Sequence, residues 1–115
     1  MTTDFQKDSL VFAQKCFDDV RAMSKDTTGV SRQGYSPVET KVLEYFKKIG
    51  VELNLEISTD KAGNVWMTVP GKNRKLPALV SGSHADSVPQ GGNYDGLAGI
   101  VAALTVARWM RETGR

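Results

Sequence analysis

Apolar residues recur at helical spacing through the first part of the chain. Leu10, Ala13, Phe17 and Val20, with Cys16 and Met23 beside them, predict a helix from about Phe5 to Ser24. Asp26-Thr27-Thr28-Gly29 breaks it. Ser36-Pro37-Val38-Glu39 is a helix start, with Ser as N-cap, Pro at the first helical position and Glu closing a capping box. Val38, Val42, Phe46 and Ile49 mark the buried face of that second helix, and Gly50 is expected to end it. The pattern then switches to period two. Val51, Leu53, Leu55 and Ile57 alternate with Glu52, Asn54, Glu56 and Ser58, which predicts a half-buried strand. After the turn Asp60-Lys61-Ala62-Gly63, the positions Val65, Met67 and Val69 continue as the second strand of a hairpin. Leu76 to Val80 is apolar almost throughout, as in a strand buried on both faces. A last helix is expected from about Gly96 to Thr113, buried along Leu97, Ile100, Val101, Leu104 and Ala107. Gly99, Ala102, Ala103 and Ala107 would let it lie close to a sheet. The resulting order, ααβββα, is an α/β pattern, and its three strands call for more sheet than the chain supplies.

Composition narrows the function classes. The 115 residues make at most one ordinary domain, and 40% hydrophobic content is enough for a core. A net charge of +2 is too small to argue for nucleic acid. Lys72, Arg74 and Lys75 form the only tight basic cluster, in a Pro/Gly turn that reads as a solvated loop. The single cysteine, Cys16, excludes an internal disulfide and falls on the first helix's apolar stripe, as a core thiol would. The N-terminus has no leader pattern and no apolar run nears membrane-spanning length, so a cytoplasmic protein without a membrane partner is expected.

The candidate chemistry lies between the apolar strand and the last helix, in Ser83-His84-Ala85-Asp86 and Gly91-Gly92-Asn93-Tyr94-Asp95-Gly96. A strand end is where an α/β sheet places its site, and imidazole with carboxylate is a zinc-type ligand set. His84 would bind a metal through one nitrogen while its other N–H needs an acceptor. Asp86, at i+2 on the same strand face, supplies that acceptor. Asp95 opens the last helix, and Gly91, Gly92 and Gly96 let the loop curl back toward His84. The bland alternative stands beside this one: His84 as a surface histidine, Asp95 as an N-cap, Gly-Gly-Asn as a turn. Only twenty residues follow Asp95, so at most part of a metal site is expected.

The string GSHADSVPQGGNYDGLAGIVAAL resembles the first metal motif of the zinc aminopeptidase/aminoacylase superfamily. It most resembles the amidase branch of N-carbamoyl-L-amino-acid hydrolases, β-ureidopropionases and allantoate amidohydrolases. Gly29-Val30-Ser31-Arg32, Tyr35-Ser36-Pro37 and Ala62-Gly63-Asn64-Val65 look like the same branch. The resemblance implies the N-terminal part of a zinc-aminopeptidase-like sheet. It implies two divalent metal ions, zinc with manganese, cobalt or nickel as alternatives, and a small ureido or carbamoyl substrate. His84 would bind one metal, Asp86 would orient His84, and Asp95 would bridge both metals. The implied reaction is hydrolysis of a C–N bond by an activated water, with a glutamate shuttling protons. That general base, the other ligands and the lid and dimerisation domain lie past Arg115 in the family. The 115 residues are therefore expected to be a truncated, partial catalytic domain, inactive alone and weak or empty in metal binding. The alternatives are a non-catalytic self-associating α/β module and a segment of a related metallopeptidase or aminoacylase. The resemblance also implies a cis peptide at Asp95–Gly96. It implies further that the sheet's missing strand fits between Val65-Met67-Val69 and Leu79-Val80, an open slot that predicts a homo-oligomer, specifically a symmetric dimer.

Overall fold

A computed structural model describes residues 3–115. Its elements run α1 (Asp4–Ser24), α2 (Pro37–Glu52), β1 (Glu56–Thr59), β2 (Val65–Thr68) and α3 (Leu97–Thr113). The α/β class of the sequence reading holds. α1 starts on a reciprocal cap: the Thr3 hydroxyl accepts from the Gln6 N–H, and the Gln6 side chain accepts from the Thr3 N–H. Ser36 caps α2 as expected, accepting from the Glu39 N–H. Glu39 does not close the predicted box; its carboxylate accepts from the Tyr35 N–H one residue earlier.

Gly50 does not end α2. The helix runs to Glu52 and closes at Asn54, which takes φ +55 while the Leu55 N–H donates to the Gly50 carbonyl. The predicted strand from Val51 therefore begins only at Glu56. Gly50 has a packing role instead. A Cβ there would lie 2.9 Å from Met67 Sδ and 3.0 Å from Ile57 Cδ1, so its bare face is what lets the hairpin seat on α2. The hairpin is antiparallel, with Ile57 opposite Met67 and Ser58 opposite Trp66.

The core joins all three helices. Cys16 and Val20 of α1, Val42 and Phe46 of α2, Leu97, Val101 and Leu104 of α3, together with Leu55 and Ala85, are buried in one cluster. Each large member contributes about 1.5–3 kcal/mol on burial. Burial pushes the Cys16 thiol up from its ordinary range, in keeping with a core group and not a nucleophile. Leu10, expected in the stripe, is exposed at the rim of an apolar groove between α1 and α3 lined also by Phe5, Val106 and Trp109. α3 packs on α1, and its Gly99 does lie close against Ser83, in a segment that is not paired into a sheet.

The third strand is the main correction. Among the described residues the sheet has two strands, and Leu76–Val80 pairs with nothing. Leu79 is fully exposed, and Leu76 and Val80 are about two-thirds exposed. An all-apolar strand is made for the middle of a sheet, with a neighbour on each edge, and no described segment lies beside it. Arg74 in the preceding turn forks onto the Glu56 carboxylate at 2.8 Å through both Nη atoms, so the basic cluster is a solvated loop with an ion pair.

Candidate metal centre

Residues 84–95 are held on the short segment 30–32. Val30 and Gly91 exchange backbone hydrogen bonds of 2.9 and 2.8 Å, and the Ser87 N–H donates to the Arg32 carbonyl at 2.8 Å. The Ser87 hydroxyl accepts from the Arg32 N–H. Ser31 ties in the loop tip: its hydroxyl accepts from the Gln90 N–H and donates to Asp26, whose carboxyl is held below the usual range chiefly by that bond.

The structure brings the three predicted site residues together. His84 Nδ1 lies 3.1 Å from both the carboxylate Oδ1 and the carbonyl oxygen of Asp86. Both partners are acceptors, so Nδ1–H must donate, and in the neutral ring Nε2 then carries the lone pair. Nε2 faces Asp95 Oδ2 at 3.8 Å. An imidazole nitrogen and a carboxylate oxygen at that distance are two electron donors close enough to share one cation. His84 and Asp86 are about half-exposed and Asp95 more so, leaving the space between His84 and Asp95 open to solvent. The residues fit a metal in donor type and spacing but supply only His84 and Asp95. Among the described residues no group of three or more His, Cys, Asp or Glu is placed to hold an ion, whereas catalytic zinc sites use about three protein ligands.

The return of Asp95 toward His84 depends on Gly96. No peptide bond among the described residues is cis, so the expected cis Asp95–Gly96 bond is not found. The reversal is instead a γ-turn: Gly96 takes φ +71 and ψ −50, and the Leu97 N–H donates to the Asp95 carbonyl at 2.8 Å. Asp95 is not the N-cap; Gly96 occupies that position without a side-chain cap. A Cβ on Gly96 would fall on the His84 ring and carbonyl oxygen. Gly91 is also constrained, since a Cβ would meet Val88 Cγ2 at 2.7 Å. Gly92 is not, for its Cβ would point into open space.

Arg32, Asn93 and Ser87 have roles here that their sequence context does not announce. Arg32 is completely buried. Its Nε donates to the Ala85 carbonyl at 2.9 Å, Nη1 to Asn93 Oδ1 at 2.8 Å and Ser24 Oγ at 3.1 Å, and Nη2 to the Asn93 carbonyl at 3.3 Å. Burial pulls its guanidinium below the usual range and the nearby Asp86 charge pulls it back. A single arginine in a polar string reads as surface; only a partner set of Ser, Asn and carbonyls from distant segments reveals it.

No protein-family model matches the chain. The chain is 35% identical over 105 residues to the N-carbamoyl-L-amino-acid amidohydrolase of Paenarthrobacter aurescens, covering 89% of this chain and 26% of that protein. It is 32% identical over 102 residues to the ureidoglycolate hydrolase of Oryza sativa subsp. japonica, covering 88% of this chain and 21% of that one. The crystal structure of a hydantoinase/carbamoylase-family amidase from Burkholderia multivorans superposes with a TM-score of 0.85 at 26% identity, over 89% of this chain and 25% of the other. The chain spans about a quarter of the length of the curated relatives it matches.

Proposed function

We propose that this homologue of one quarter of the ureido and carbamoyl amidohydrolases is a partial catalytic domain, contributing part of a dinuclear metal site to hydrolysis of a C–N bond in an N-carbamoyl or ureido amino acid. The observation that carries the reading is His84, with Nδ1–H held by Asp86 and Nε2 3.8 Å from Asp95 Oδ2. His84 and Asp95 are the residues that would hold divalent metal, zinc first by donor type. When bound, such ions polarise the scissile carbonyl and lower the pKa of water. Asp86 fixes the tautomer and aim of His84. Gly96 and Gly91 keep the space that the loop needs. The proton-shuttling glutamate and the remaining ligands belong to residues outside these 115. Glu39 is committed to the start of α2 and Glu56 to Arg74, so neither is free for that role. The lid and dimerisation domain would likewise come from outside.

The same reading makes the chain cytoplasmic and self-associating, the latter supported by the exposed row Leu76, Leu79 and Val80 beside a two-stranded sheet. Among the described residues no helix is long and apolar enough to cross a membrane.

The test is a Zn2+ titration of the 115-residue chain and its His84→Ala and Asp95→Asn variants, together with an assay of N-carbamoyl amino acid hydrolysis. Weak Zn2+ binding abolished by His84→Ala, with no turnover by the chain alone, is the expected result. Binding indifferent to both substitutions rejects the site.

A further inference from the structure

We propose that Arg32, which no metal would touch, is the positioning residue that sets the separation of His84 and Asp95. This rests on the reading of those two side chains as metal donors. Arg32 is a fully buried cation, and among the described residues no carboxylate lies within ion-pair distance of it. Burying an unpaired charge is costly, and here the cost is offset by hydrogen bonds from the guanidinium to three segments of the chain. The arrangement of its partners shows what the guanidinium does. One edge of the fork binds the carbonyl of Ala85, the residue between His84 and Asp86. The other binds Asn93 twice, at its side chain and its carbonyl, two residues before Asp95. The planar fork is rigid, so it acts as a spacer between the two segments that carry the donors.

The main chain of Arg32 adds to this. Its N–H and carbonyl both bind Ser87, fixing the arm that carries His84 in register with the spacer. Asn93 in turn donates from Nδ2 to the Phe17 carbonyl at 3.1 Å, which anchors the second arm to α1. Ser24 accepts from the same Nη1 that donates to Asn93, but it makes no hydrogen bond to either arm. A lysine at position 32 would keep the charge but cannot reach Ala85 and Asn93 together, because it has one nitrogen on a flexible stem.

The experiment follows the imidazole of His84, the chain's only histidine, by NMR during titration with Zn2+. Arg32→Lys and Asn93→Ala are each expected to weaken Zn2+ binding by at least about tenfold, the scale of an outer-shell substitution. They should also move the Nδ1 and Nε2 resonances of the metal-free ring, which a purely stabilising residue would leave in place. Thr40→Ala, on the exposed first turn of α2, should stay within about twofold with unchanged ring signals, because its side-chain bond to the Ser36 carbonyl has no link to Arg32. Near-UV circular dichroism of the two tryptophans reports folding. Zn2+ binding retained by a folded Arg32→Lys variant overturns the proposal, and so does loss of fold in both Arg32→Lys and Asn93→Ala, which would make Arg32 a residue of stability alone. If His84→Ala binds Zn2+ like the unmodified chain, the donor reading itself fails and this proposal falls with it.

Discussion

Gly96 concentrates the site's geometry in one residue. It turns the chain with φ +71, a conformation that side chains resist, and its bare Cα lies against the His84 ring. Gly96→Ala is therefore expected to cost about 1–3 kcal/mol from the backbone alone and to push the imidazole off its line to Asp95. Thermal unfolding gives the first effect; loss of the Zn2+-dependent shift of the His84 ring gives the second. The residue types of this site were legible in the sequence because His84 is unique and because glycines around Asp95 announce a tight return. The cis bond that family resemblance implied was not found, since a γ-turn performs the same reversal. Arg32 stayed hidden for a different reason. Its partners Ser24, Ala85 and Asn93 are distant along the chain, and nothing at position 32 itself signals burial.

Among the elements, the α1–α2 contact is pinned by a polar bridge over the core. Tyr45 of α2 donates to Asp19 of α1 at 2.7 Å, and Lys15 reaches the same carboxylate oxygen at 2.7 Å. Lys15 first and Tyr45 second hold the Asp19 carboxyl below its usual range. A carboxyl depressed in the folded state stabilises it above its ordinary pKa of 3.8, and that contribution is lost as pH falls through the lower folded value. Tyr45→Phe should lower stability at neutral pH by about 0.5–1.5 kcal/mol, with the difference from the unmodified chain shrinking below about pH 4. Urea unfolding at pH 7 and pH 3 measures both. The helices themselves were readable from caps and periodicity. The start of β1 was not: Val51 and Leu53 alternate with polar neighbours as a strand would, yet they belong to the last turn and cap of α2. Alternation over so few residues fits the end of a helix as well as a strand, and the packing of Gly50 under Met67 and Ile57 decided between them.

At the scale of the molecule, the apolar run Leu76–Val80 has the composition of a central strand and the surroundings of a loop. Leu79→Lys is expected to leave the melting temperature unchanged within a degree or so, because an exposed side chain contributes little to the fold, and to shift sedimentation toward monomer if this row joins copies of the chain. An unchanged sedimentation profile with dimers present would move the interface elsewhere. That strand was legible as a sequence pattern and illegible as structure, since pairing needs neighbours that these residues do not include. The part of the chain after this run holds to the part before it without its help. Leu97, Val101 and Leu104 seat in the core, Phe17 and Tyr94 meet edge to face at 4.9 Å, and Val30 and Gly91 pair. The run is then a tether, and the protein a non-covalent complex that happens to be one polypeptide. Nicking with trypsin at Lys72, Arg74 or Lys75 should give two pieces that co-elute in native buffer and part only in denaturant, with the surroundings of His84 surviving the cut.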